Sequence, residues 1–116
     1  MPKRSRQARA REFNTTSRRI IKERDRYQCI FCRMEYRMGE VKGYSPDSLT
    51  IMHYIPRSHG GLGIPQNGAL GCIYHHTMLD NGNKGYRGEM LQMFKQYLQN
   101  HYPDWSEDAL TYSKWK

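Results

Sequence analysis

Four soft donors fall into two half-sites of equal spacing, Cys29-Ile-Phe-Cys32 and Cys72-Ile-Tyr-His75. Thiolates and imidazole are the ligands that tetrahedral zinc prefers, and a closed set of four leaves no open position for chemistry. Cys29, Cys32, Cys72 and His75 therefore read as a structural Zn²⁺ site. The bland alternative is three buried cysteines at chance spacing, but two matched half-sites are harder to reach by chance than one. Three cysteines are an odd number, which favours reduced, metal-binding thiols over disulfides. A second group of residues offers different chemistry. A neutral imidazole such as that of His53 can take a proton from water. His76 and Asp80 stand four residues apart, so on a helix both can reach one ion. A carboxylate favours Mg²⁺ or Mn²⁺ there, while the imidazole would also admit Ni²⁺ or Zn²⁺.

Charge is placed unevenly along the chain. Residues 1–26 hold ten Lys or Arg against three acids, which is seven of the net charge of +8. The remaining ninety residues carry nine basic and eight acidic side chains. A polyanion binder has this electrostatic footprint, and a solvated basic tail or a targeting sequence shares it. Arg4, Arg6, Arg9, Arg11, Arg18 and Arg19 are the candidate phosphate contacts in the segment. Arg57 joins them from a later loop, although it and Arg87 could equally be solvated. His59 and His101 have no partner at diagnostic spacing and read as surface residues.

These groups must be positioned by a small fold. The 116 residues are 37% hydrophobic with a mean hydropathy of -0.95, so one domain with a thin core is expected. A core this poor in aliphatic side chains needs a staple. The start lacks the apolar stretch of a signal peptide and no run is long enough to span a membrane, so an intracellular protein is expected. Residues 1–16 lack apolar periodicity and read as a flexible basic arm, with residues 17–116 as the domain. Thr15, Thr16 and Ser17 can cap a helix over Arg18–Asp25. Tyr27–Phe31 is β-prone and leads into the first cysteine pair, and Arg33–Asp47 reads as irregular. Leu49–Ile55 is a β-type run ending in Pro56, followed by a loop rich in turn residues, a second short apolar run and a helix opening at Cys72. Met90, Leu91, Phe94, Tyr97 and Leu98 form one helical stripe within Gly85–Asn100. Asp104 and Glu107 suggest a capping box for a last short helix, with Tyr112 and Trp115 as docking aromatics.

In order, the elements present His, Asn and His across a hairpin and a helix. This pattern resembles the HNH nuclease family. The resemblance rests on His53-x-x-Pro56-x-Ser58-x-Gly60-Gly61, on Asn67-Gly68, and on Cys72-x-x-His75-His76-x-x-x-Asp80-Asn81-Gly82. With the upstream cysteines it spans Tyr27 to Gly82, roughly half of the chain. It implies an α+β fold with a zinc-stapled, treble-clef-like ββα-metal core at about residues 48–82, an N-terminal helix and C-terminal helices at about 85–115.

The resemblance also implies roles. His53 takes the place of the general base, Asn67 that of the asparagine hydrogen-bonded to it, and His76 that of the metal-binding histidine. His75 replaces the cysteine more common at the fourth zinc position. The implied activity is metal-dependent hydrolysis of DNA with little sequence specificity of its own. Small proteins of this kind are typically encoded by phages and act within the host cell, so DNA and phage packaging or recombination proteins are the expected partners, and membranes are not. One position departs from the family, which has Asp or His immediately before the base where this chain has Met52. A thioether is a poor ligand for a hard cation. Either His76, Asp80 and waters hold the ion, or another acid such as Asp47 swings in, or the site has lapsed and the chain is a non-catalytic zinc-bound nucleic-acid-binding module.

Overall fold

Two short strands, β1 (Thr50–His53) and β2 (Gly68–Gly71), form an antiparallel hairpin in a computed structural model that describes residues 6–40, 48–81 and 85–111. Ile51 stands opposite Leu70, Met52 opposite Ala69 and His53 opposite Gly68. Strand alternation sorts these side chains onto two faces. Met52 and Ala69 enter a core with Phe31, Leu79 and Phe94. Ile51 and Leu70 turn the other way, against Phe13 and Ile21. The hairpin is thus the middle layer of a small α+β fold, with a core on each side.

The N-terminal layer holds α1 (Arg6–Ala10) and α2 (Thr15–Arg24). Asn14 caps α2, its Oδ1 accepting from the Ser17 N–H at 2.8 Å, so the helix starts three residues before the expected Arg18. Only Ser17 and Ile21 of α2 are buried, which suits a helix laid over a single small patch. Within the segment expected to be a flexible arm, Ala10–Phe13 makes contacts with the rest of the fold. The Gly63 N–H donates to the Ala10 carbonyl at 2.9 Å, and Phe13 is buried. Residues 1–5 lie outside the described residues.

The β-prone stretch Tyr27–Phe31 does not form a strand. Arg26 and Tyr27 both take φ of 57°, in the left-handed region that residues other than glycine rarely enter. The Tyr27 N–H donates to the Lys22 carbonyl at 2.9 Å, and the chain reverses into α3 (Ile30–Arg33). That reversal sends Cys29 back towards the sheet; local β propensity loses to the need to bring the cysteines inward. After α3 comes a 3₁₀ turn at Met38–Glu40. The rest of the irregular segment, with Asp47, lies outside the described residues.

On the other face, α4 (Ile73–Asn81) and α5 (Arg87–His101) pack against the hairpin and each other. The stripe expected on α5 buries Met90, Phe94 and Leu98. A 3₁₀ turn at Glu107–Leu110 follows, capped at Ser106 without a side-chain bond, so the Asp104–Glu107 capping box does not form. Tyr112 and Trp115 lie outside the described residues. Asp25, unremarked in the sequence, locks the layers together. Its carboxylate is fully buried and accepts from Arg24 Nε at 2.7 Å, the Leu70 N–H at 2.8 Å and the Tyr97 hydroxyl at 2.5 Å. Arg24 then donates to the Gly68 carbonyl at 2.6 Å and the Pro65 carbonyl at 2.7 Å. No described helix is long and apolar enough to cross a membrane.

Candidate functional site

Cys29 sits at the start of α3, Cys32 within it, Cys72 just after β2 and His75 in the first turn of α4, and their ligand atoms lie within 4.8 Å of one another. His75 Nδ1 is 3.6 Å from the sulfurs of Cys29 and Cys32 and 3.3 Å from that of Cys72. The sulfurs of Cys32 and Cys72 are 3.7 Å apart. A tetrahedral ion with bonds of about 2.0 Å to nitrogen and 2.3 Å to sulfur sets its ligands roughly 3.5–3.8 Å apart, so the set fits one ion and is consistent with zinc. The imidazole is already aimed. Its Nε2–H donates to the Tyr36 carbonyl at 2.6 Å, which leaves the Nδ1 lone pair facing the sulfurs. Burial pushes the thiols of Cys29 and Cys32 up, and neighbouring Cys29 and Cys72 add to the rise at Cys32. A divalent cation among them reverses that balance, because it binds the thiolates.

His53 and His76 come from opposite sides of the sheet and meet at its edge. His53 ends β1 on the face that packs against Phe13, while His76 reaches from α4 on the other face. One groove is lined by Leu49, Thr50, Ile51, His53 and His76, so it follows the edge of β1 away from β2, with Arg11, Glu12, Arg18, Lys22 and Arg57 also lining it. An adjoining groove adds Asp80 and Arg87 beside both histidines. His76 Nε2 lies 3.1 Å from Asp80 Oδ2, close enough for both to bind one ion as neighbouring ligands. His76 Nδ1 is 2.6 Å from Thr50 Oγ1, so when Nε2 serves as a ligand, Nδ1–H donates to that hydroxyl. Thr50 is an orienting residue that the sequence reading missed. Its separation from His76 in the chain carries no local signal.

Burial is the main cause that lowers the pKa of His53 below its ordinary value, and the charges of Arg57 and His76 act in the same direction. The Arg11 carbonyl and Asp80 pull the other way. The balance keeps the imidazole neutral near pH 7. The Asn67 side chain does not bond to the His53 ring. The Asn67 side chain is fully buried and bonds to the backbone of Ile55 and Leu62, whereas His53 Nε2 is 3.1 Å from the Arg11 carbonyl. The reason is geometric: Asn67 immediately precedes β2 and is consumed in closing the loop from β1. Phe13, the only aromatic residue before Tyr27, was the overlooked sign that this part of the arm is docked.

Met52 is 0% exposed and points into the core, where an added Cβ on Gly71 would come within 2.5 Å of its sulfur. It does not face the groove. The basic set is divided. Arg11, Arg18 and Arg57 line the groove, whereas Arg6 and Arg9 lie on α1, Arg19 is exposed on α2 and Arg4 is outside the described residues. Arg57 is ion-paired with Glu12 at 3.5 Å, and Arg87 donates to the Leu79 carbonyl at the end of α4 at 2.5 Å. His59 and His101 are exposed. Comparison of the chain with models of known protein families, with curated proteins and with solved structures finds no match.

Proposed function

We propose that the chain is a metal-dependent endonuclease of HNH type, with β1, β2 and α4 as its ββα-metal core and a zinc ion in the Cys29, Cys32, Cys72 and His75 site. The observation that carries this reading is the convergence of His53, His76 and Asp80 on grooves along one strand edge, with Arg11, Arg18, Lys22 and Arg57 alongside. Unlike charges and a neutral base around one open groove suit a phosphodiester substrate, and DNA is the proposed one. Arg11 Nε adds support, being buried without a hydrogen-bond partner among the described residues. An unmet donor of that kind costs on the order of 1–3 kcal/mol, and a phosphate oxygen is a partner that would relieve it.

In this mechanism His53 gives Nε2–H to the Arg11 carbonyl and keeps the Nδ1 lone pair for water. The water oxygen bonds to phosphorus, its proton passes to Nδ1, and the bond to the 3′ oxygen breaks. His76 and Asp80 would hold a Mg²⁺ or Mn²⁺ ion, which when bound polarises the phosphate and helps the 3′ oxygen leave. Thr50 holds the His76 ring. Asn67 keeps the loop closed behind the base.

One observation favours a second reading, a zinc-bound nucleic-acid-binding module without activity. With Met52 turned inward, no ligand reaches the groove from the position before His53, which leaves the ion to the neighbouring pair His76 and Asp80. Digestion of a labelled duplex with and without EDTA separates the two. Metal-dependent cutting supports the nuclease, and binding without cutting supports the module.

A further inference from the structure

We infer that the segment Ala10–Phe13 positions the proposed general base: its backbone, rather than the Asn67 side chain, sets the ring angle and tautomer of His53. The inference rests on the nuclease reading for its consequence in catalysis and on geometry for the rest. His53 Nε2 lies 3.1 Å from the Arg11 carbonyl, a contact between residues 42 positions apart. The Phe13 ring lies against the imidazole, centroid to centroid 4.4 Å. A neutral imidazole has one N–H, and giving it to this carbonyl leaves Nδ1 as the sole acceptor.

The segment that offers the carbonyl is itself held from several sides. The Gly63 N–H donates to the Ala10 carbonyl at 2.9 Å, and Arg18 Nε donates to the Phe13 carbonyl at 2.9 Å. Glu12 pairs with Arg57 at 3.5 Å. Phe13 fills the space over Gly68, the strand partner of His53, where an added Cβ would come within 2.6 Å of its ring. The basic arm therefore contributes to turnover as well as to affinity. Its outer charges draw in the polyanion, and its last residues aim the base.

Gly63 provides the test. A Cβ there would lie 2.1 Å from the Glu12 carbonyl carbon and 2.5 Å from the Phe13 nitrogen, so Gly63→Ala forces this backbone away without altering charge or His53. Gly88→Ala is the matched control, because a Cβ there meets nothing within 4 Å. In the full chain, the ¹⁵N shifts of the His53 ring at neutral pH report its tautomer, and cleavage at saturating DNA reports turnover. The wild type and Gly88→Ala should show one Nε2–H tautomer. Gly63→Ala should show a mixture, with kcat at saturating DNA lower by about 10- to 100-fold. A Gly63→Ala protein with the wild-type tautomer and kcat would overturn the inference. Should circular dichroism show that variant unfolded, Phe13→Leu removes the stacked ring and is read in the same way. If the wild type itself cuts nothing, the nuclease reading falls, and the tautomer comparison alone then decides the positioning role.

Discussion

Asn67 and Ile55 clasp the loop between the two strands. The Ile55 N–H donates to Asn67 Oδ1 at 2.8 Å, and Asn67 Nδ2 donates to the Ile55 carbonyl at 3.1 Å. A third bond from the same Nδ2 reaches the Leu62 carbonyl at 2.8 Å. The side chain is fully buried, so no water can replace these partners.

Two variants should therefore fail in different ways. Asn67→Ala strands buried backbone groups and should lower stability by about 2–4 kcal/mol in urea denaturation, with the catalytic-metal titration little changed. His76→Ala should keep stability and lose metal affinity. Identical metal titrations for the two would contradict these separate roles.

The sulfur and imidazole cluster should carry about one zinc per chain, by elemental analysis of the purified protein. Cys29→Ser should unfold it, because metal binding supplies folding free energy that a thin core lacks. A protein that is folded by circular dichroism yet free of zinc would remove the structural assignment.

Met52 decides whether the missing ligand can be restored. Because the side chain is 0% exposed within the core, Met52→Asp should unfold the protein by burying an unpaired carboxylate rather than improve the ion site. Met52→Leu, which conserves volume, should cost less than about 1.5 kcal/mol in the same denaturation. A folded Met52→Asp protein with tighter metal binding would show that this residue faces the groove.

Much of the chemistry was legible because it lies in short-range spacing. Cys29-x-x-Cys32 and Cys72-x-x-His75 meet as two half-sites, and His76 and Asp80 share a helical face. What escaped the sequence depends on contacts distant in the chain. Asp25 reads as one acid in a basic run, yet it joins α2 to Leu70 and Tyr97. Thr50 reads as a strand residue, yet it holds His76. The partner beside the His53 ring is the Arg11 carbonyl and not the Asn67 side chain, and no residue type announces what a backbone oxygen will do. The stretch from Tyr27 to Phe31 misled because its β propensity is local, while the turn at Arg26 and Tyr27 serves the cysteines.

Acid should act through His53. Its folded pKa lies below the ordinary 6.5, mainly through burial. Below 6.5 the unfolded chain therefore binds more protons at this site than the folded one. His53 withdraws stability as pH falls from 6.5 through its folded pKa, and none above. Cleavage should likewise persist below pH 6.5 and fall as the base protonates. An NMR titration of the His53 ring and a pH–rate profile should share that acid inflection. An inflection above 6.5 in either would contradict the buried, neutral base.

The most direct test is cleavage of supercoiled plasmid by the wild type and His53→Ala, each with Mg²⁺ or Mn²⁺ and with EDTA. The account predicts that the wild type converts the plasmid to nicked or linear forms only when a divalent ion is present. His53→Ala should bind the same DNA and fold normally, but cut slower by on the order of 10²- to 10⁴-fold. A wild type that binds DNA yet stays inert with every ion, or a His53→Ala protein that cuts as well as the wild type, would contradict it.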